Sequence, residues 1–85
     1  MSDAPAWVYL LRCADGSLYT GWTTDVDRRF AAHAEGTASR YTRTRLPVTL
    51  AASFPMLDRT AARKEEARIK RLSRAAKLAL LRTAR

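Results

Sequence analysis

A nearly unbroken apolar and aromatic run from Ala6 to Leu11 stops at Ala14-Asp15-Gly16, and a second run resumes at Leu18. Residues of this type between turn signals read as two strands, at 6 to 12 and 17 to 23, joined as a hairpin. Next the period changes. Thr24 is a good N-cap, Asp25 and Asp27 put acids in a first helical turn, and Gly36 ends the pattern, which predicts a helix over 25 to 35. A polar, basic loop follows up to Leu46. Pro47 to Phe54 alternates again, with Val48, Leu50 and Phe54 on one face and Pro47 suited to the start, so a third strand is expected at 47 to 54. Asp58 or Thr60 can cap a helix running to about Leu72 with Ala62, Ile69 and Leu72 as its buried stripe, and Ser73 can cap a last helix to about Arg82. The expected architecture is α+β, a three-stranded antiparallel sheet flanked by helices, in one domain spanning 1 to 85 with its core at about 6 to 82.

The hairpin register decides which side chains meet. A two-residue turn on Asp15-Gly16 would send Tyr9 and Tyr19 to opposite faces. A type I turn over Ala14 and Asp15 with Gly16 in a bulge pairs Cys13 with Ser17, Leu11 with Tyr19 and Tyr9 with Gly21, and puts both phenols on one face. The bulged register is preferred. Gly21, opposite Tyr9, has no side chain to crowd the ring, so a ligand could approach the backbone there. On the helix that follows, Val26 and Phe30 form the apolar pair while Arg29 and His33 form a second i, i+4 pair on its border, aimed toward the sheet edge.

With 85 residues the chain is small enough to bury only about 60% of its unfolded surface. No apolar run approaches the length of a membrane span and the N-terminus lacks the pattern of a signal peptide, so a cytoplasmic location is expected. Lone Cys13 can form no internal disulfide and reads as a small buried strand residue. The net charge is +8, and its placement is uneven: Met1 to Asp58 holds six basic and six acidic residues, and the last 27 residues hold ten basic and two acidic ones. Such a concentration suits a polyanion, because Lys and Arg release the counterions of phosphates. Arg40-Tyr41-Thr42-Arg43-Thr44-Arg45 adds a basic segment around an aromatic ring able to contact phosphate and stack on a base. Candidate nucleic-acid contacts are therefore Gly21, Arg28, Arg40, Tyr41, Arg43 and Lys70, with DNA expected ahead of RNA.

Glu65 and Glu66 are the only acids after Asp58. Both lie within roughly 60° of the buried stripe, so helical geometry leaves the choice between them open. The plain alternative for Glu66 is an i, i+4 ion pair with Lys70.

Trp7-Val8-Tyr9, Tyr19-Thr20-Gly21, Arg29 ten residues past that second tyrosine, His33 one turn later, the helix Arg63-Lys64-Glu65-Glu66-Ala67-Arg68-Ile69-Lys70 and the ending Leu72-Ser73-Arg74-Ala75-Ala76-Lys77-Leu78 come in an order and spacing that resemble the GIY-YIG nuclease superfamily, in its small single-domain bacterial branch. The resemblance runs from about Trp7 to Leu81. It implies a metal-dependent endonuclease whose catalytic residues would be Tyr9, Tyr19, Arg29, His33 and Glu66. The branch places its glutamate three residues before the isoleucine, which is Glu66, and that carboxylate would hold a single Mg²⁺ or Mn²⁺. Tyr9 would be a base if Arg29 and the metal lowered its pKa, Tyr19 would orient water, and His33 is the other candidate base. The chain departs from the pattern in having Trp7 for glycine, Trp22 where some members have lysine, and no asparagine anywhere. Two further readings stay open: a nucleic-acid-binding module without catalysis, and a domain docking on a larger repair assembly through an exposed Trp22.

Overall fold

A computed structural model describes residues 5–83. Strand β1 (Ala6–Arg12) is central; β2 (Leu18–Thr23) and β3 (Thr49–Met56) flank it, both antiparallel, in the order β2-β1-β3. The hairpin takes the bulged register: Tyr9 pairs with Gly21 and Leu11 with Tyr19, the Cys13 amide donates to Ser17 O at 2.9 Å, and Gly16 sits at φ 85°. Asp15 Oδ1 accepts from both the amide and the hydroxyl of Ser17, which stiffens the turn.

Helix α1 (Val26–Ala34) begins one residue later than the acid pattern suggests, with Asp25 and not Thr24 as its cap. The reason lies in the corner before it. Thr23, the last strand residue, accepts the Asp25 amide on Oγ1 at 3.1 Å, so the extended residue able to reach the third helical amide is Asp25, which accepts from Arg28 N at 3.1 Å. Gly36, φ 83°, closes the helix: its amide bonds to His33 O and that of Thr37 to Ala32 O, a paired closure that needs a left-handed residue.

The stretch expected as a plain basic loop contains a one-turn helix, α2 (Arg40–Arg43), capped by Ser39 Oγ on the Thr42 amide. Strand β3 starts two residues past Pro47 and runs on to Met56; the Leu46–Pro47 peptide is cis. The alternation expected for β3 also breaks. Leu10 pairs with Ala52 but Leu11 with Leu50, leaving Ala51 as an extra residue. Val48 and Leu50 consequently face away from Ala52 and Phe54, and Leu50 is 41% exposed instead of buried.

Helix α3 (Arg59–Lys70) is capped by Asp58, whose Oδ1 accepts from Ala61 N at 2.8 Å, and α4 (Arg74–Leu81) by Ser73. Since neighbouring residues of β1 point to opposite faces, the sheet has two cores. Ala6, Val8 and Leu10 pack with Ala62 and Ile69 of α3, joined by Trp22, Phe54, Leu72, Leu80 and Leu81. Tyr9, Leu11, Cys13 and Val48 lie on the other side, joined by Tyr19 and Phe30 of α1.

Candidate active site at the β2 edge

Tyr9 leaves the central strand on the α1 side and lays its ring across Gly21. A Cβ at Gly21 would fall on the phenol itself. The missing side chain therefore makes room for Tyr9, not for a ligand, and Gly21 is buried. The phenol reaches His33 Nε2 at 2.8 Å. His33, only 1% exposed, is also within 2.8 Å of Thr42 Oγ1 through Nδ1. The Thr42 hydroxyl donates to Ser39 O at 3.4 Å, so it accepts from Nδ1–H, and the Nε2 lone pair is left to accept the Tyr9 proton. The result is a one-way chain from phenol to imidazole to threonine.

Electrostatics favour the neutral ring that this chain requires. Burial, and next the charge of Arg29, push the His33 pKa down, which favours the neutral ring. The Tyr9 phenol is pushed up to about 12, chiefly by burial, then by Tyr19 and Glu66, against a smaller downward pull from Arg29. Arg29 does pull this pKa down, as expected, but burial outweighs it, so in the protein alone Tyr9 is not a phenolate at neutral pH.

Tyr19, from β2, sets its ring edge-on to His33 with centroids 5.1 Å apart, and leans on Tyr41 of α2 at 5.7 Å. Arg29 is exposed on α1 and, with Arg28, walls a cleft of about 520 Å³ that also includes Thr23, Thr24 and Thr37. Glu66 arrives from the other face of the sheet. Helix α3 packs on β1 and β2, and since β2 is an edge strand a side chain can come round it; the Glu66 charge acts on the Tyr9 phenol. Glu65 is engaged elsewhere, bound by Arg68 through two contacts of 2.8 and 2.7 Å. Tyr9, Tyr19, Arg29, His33 and Glu66 thus gather at one edge.

The expected nucleic-acid contacts gather less completely. Lys70 stands 3.4 Å from Glu66, the ion pair that helix spacing alone allowed. Arg40 is exposed on α2, while Arg43 runs its stem past Gly36. Tyr41 is 38% exposed, but Arg45 covers its ring at 3.8 Å, so a base could stack there only by displacing that guanidinium. Arg45 is held in turn by Asp15 at 2.9 Å. Trp22 packs partly buried on the α3 core, which weakens its reading as an exposed anchor. Sequence reasoning missed Thr42 and Ser39 as parts of the His33 chain. The Ser39-x-x-Thr42 capping pattern was a legible signal for the turn, though nothing in it pointed to the histidine.

Among the described residues no three carboxylate, imidazole or thiolate side chains form a metal cluster. The donor set is the single carboxylate of Glu66. That suits a hard cation that keeps most of its waters and takes further ligands from phosphate.

A tyrosine hydrogen-bonded to a histidine at a hairpin edge, with a second tyrosine edge-on to that ring, a helix-borne arginine and a carboxylate from a second helix, define a small domain of nuclease type. The chain belongs to the GIY-YIG family: the model of the GIY-YIG catalytic domain matches residues 5–79. It is similar to a UPF0213 protein of Xanthomonas axonopodis pv. citri, 52% identical over 77 residues that cover 91% of this chain and 76% of that one. A UPF0213 protein of Halobacterium salinarum is 51% identical over 73 residues, covering 86% and 95%. The solution NMR structure of a UPF0213 protein from Bacillus halodurans superimposes with a TM-score of 0.61 at 44% identity, covering 93% of this chain and 84% of that one. Members of this superfamily typically work with divalent metals, and its fold implies interaction with nucleic acid. No helix among the described residues is long and apolar enough to cross a membrane.

Proposed function

We propose that this protein is a divalent-metal-dependent endonuclease that hydrolyses phosphodiester bonds in structured or single-stranded DNA. The buried chain from Tyr9 through His33 to Thr42, opening beside Arg29 and Glu66, carries the reading. A phenol with a pKa near 12 is a poor base by itself, but its proton already points at a neutral imidazole. A water attacking phosphorus gives its proton to the Tyr9 oxygen while Tyr9 passes its own to His33 Nε2 and Thr42 holds the Nδ1–H of the imidazolium that forms; the bond from phosphorus to the leaving oxygen breaks, and that oxygen takes a proton from solvent. Tyr19, edge-on to the ring, keeps His33 in place. Arg29 offers its planar fork to the non-bridging oxygens. Glu66 would hold Mg²⁺ or Mn²⁺, which supplies neutralising charge for the phosphate and the leaving oxygen. Action in the cytoplasm, with a DNA-repair partner supplying substrate choice, completes the reading.

One observation favours a second reading, a binding module on the same scaffold. Lys70 lies on the carboxylate that a metal would need.

The test is incubation of the protein and its Glu66→Ala variant with labelled single-stranded, duplex and branched DNA and RNA in Mg²⁺, Mn²⁺ or EDTA. Cutting that needs metal and falls by about 10²- to 10³-fold in the variant is expected. Binding without cutting by the wild type would favour the second reading.

A further inference from the structure

The excess charge of the C-terminal third falls partly outside the cluster described above, and one portion of it is placed to act on the same ligand. Ser17 and Leu18 at the start of β2, Tyr41 of α2, and Arg74 and Lys77 of α4 wall a hollow of about 230 Å³. Arg74 spends one guanidinium nitrogen on Gly16 O, which ties α4 to the hairpin turn and leaves its other donors free to point elsewhere. The Lys77 side chain, one turn short of the helix end, makes no hydrogen bond or ion pair among the described residues. The nearby acid is already matched: Asp15 is bound by Arg45 at 2.9 Å. The hollow is therefore cationic.

Its distance from the chemistry is short and its route direct. Tyr41, on its wall, leans on Tyr19 at 5.7 Å, and Tyr19 is 5.1 Å from His33, the partner of the Tyr9 phenol. At the other end of β2 a second hollow joins Trp22, Thr23 and Thr24 to Arg29 and Arg59. Among the described residues no strand covers this outer edge of β2.

We propose that the Arg74–Lys77 hollow seats a backbone phosphate of a single-stranded segment lying along the outer edge of β2, on the same strand as the phosphate presented to Tyr9. The proposal rests on the nucleic-acid reading above, though not on catalysis. Lys77 is then a positioning residue: it sets the strand's path and leaves the reacting atoms to others.

The test is binding of a labelled single-stranded oligonucleotide of about twelve nucleotides, followed by fluorescence anisotropy in EDTA over a salt series. The proteins are the wild type, Lys77→Ala, Lys77→Arg and, as a control, Arg71→Ala. Arg71 is exposed at the C-cap of α3 and outside both hollows. Loss of one phosphate contact lowers the slope of log affinity against log salt by about 0.7 and weakens binding by about fivefold at 0.1 M salt. That change is expected for Lys77→Ala alone, with Lys77→Arg restoring the wild-type slope. Equal slopes for Lys77→Ala and Arg71→Ala, changed or not, would overturn the seat while leaving nucleic-acid binding intact. A wild type that binds no oligonucleotide would overturn both.

Discussion

On the α3 and α4 side of the sheet Val8 and Leu10 meet apolar neighbours almost everywhere, whereas on the α1 side Tyr9 and Leu11 share their space with a histidine, a threonine and two further phenols. The same strand builds both. Burial of Val8, Leu10, Ala62 and Ile69 removes apolar surface from water and asks nothing further of its neighbours, so this face stabilises the fold. His33 and Thr42 are just as deeply buried, yet each is tolerable only because its polar atoms are hydrogen-bonded. One face contributes stability; the other turns burial into a fixed proton direction. The apolar side has one exception, Thr20 Oγ1, buried without a partner among the described residues, for which we find no physical account.

The sharpest way to separate the faces is to damage each in turn. Leu10→Ala should cost about 2 to 5 kcal/mol in urea unfolding, the usual range for emptying a core site, while the pH dependence of any cutting by the folded fraction stays as in the wild type. If that pH profile moved, the two faces would be coupled.

Gly21→Ala should act on the other side. Its methyl must displace the Tyr9 ring and with it the 2.8 Å contact to His33, at a cost of about 1 to 3 kcal/mol for overpacking and with loss of cutting out of proportion to the loss of folded protein. Wild-type activity in this variant would mean that Tyr9 does its work from some other position.

A single substitution made on both faces should give opposite signs. Thr42→Val strands the Nδ1–H of His33 and should destabilise by about 1 to 3 kcal/mol, whereas Thr20→Val replaces an orphan hydroxyl by a methyl and should be neutral or raise the melting temperature. Thermal melts of the two variants decide it, and equal losses would erase the contrast.

The remaining effects are those of pH. The Tyr9 pKa is raised from its ordinary 10.0 to about 12, so the unfolded chain loses this proton first; the stability is present below pH 10 and is lost as pH rises from 10 through 12. His33 runs the other way. With its folded pKa held below 6.5, its stability is present above pH 6.5 and is lost as pH falls toward the lowered value. Urea midpoints across pH should show both losses, and Tyr9→Phe should remove the alkaline share of the fall that the wild type shows.

How far these contrasts were legible beforehand differs by element. The hairpin register, the Gly36 stop and the caps at Asp58 and Ser73 follow from residues adjacent in the chain, and the structure has them. Thr24 lost its capping role to Asp25 because the strand runs on to Thr23, whose hydroxyl takes the Asp25 amide. The face expected for Val48, Leu50 and Phe54 was misread because a bulge at Ala51 reverses parity, and a bulge depends on what the neighbouring strand offers. Gly21 was taken as leaving room for a ligand when the Tyr9 ring fills that space, since no local rule says how far a cross-strand ring will lean over the glycine it faces.

By itself the sequence determined the order of strands and helices, the shared face of Tyr9 and Tyr19, the border position of Arg29 and His33 on one helix, and the charge excess after Asp58, because each rests on periodicity or on chemistry within a few residues. The tertiary structure alone decided that Thr42 holds His33 and that burial keeps the phenol protonated and the imidazole neutral. Those outcomes require distant segments to pack and exclude water, and desolvation belongs to the packed assembly, not to any residue in it.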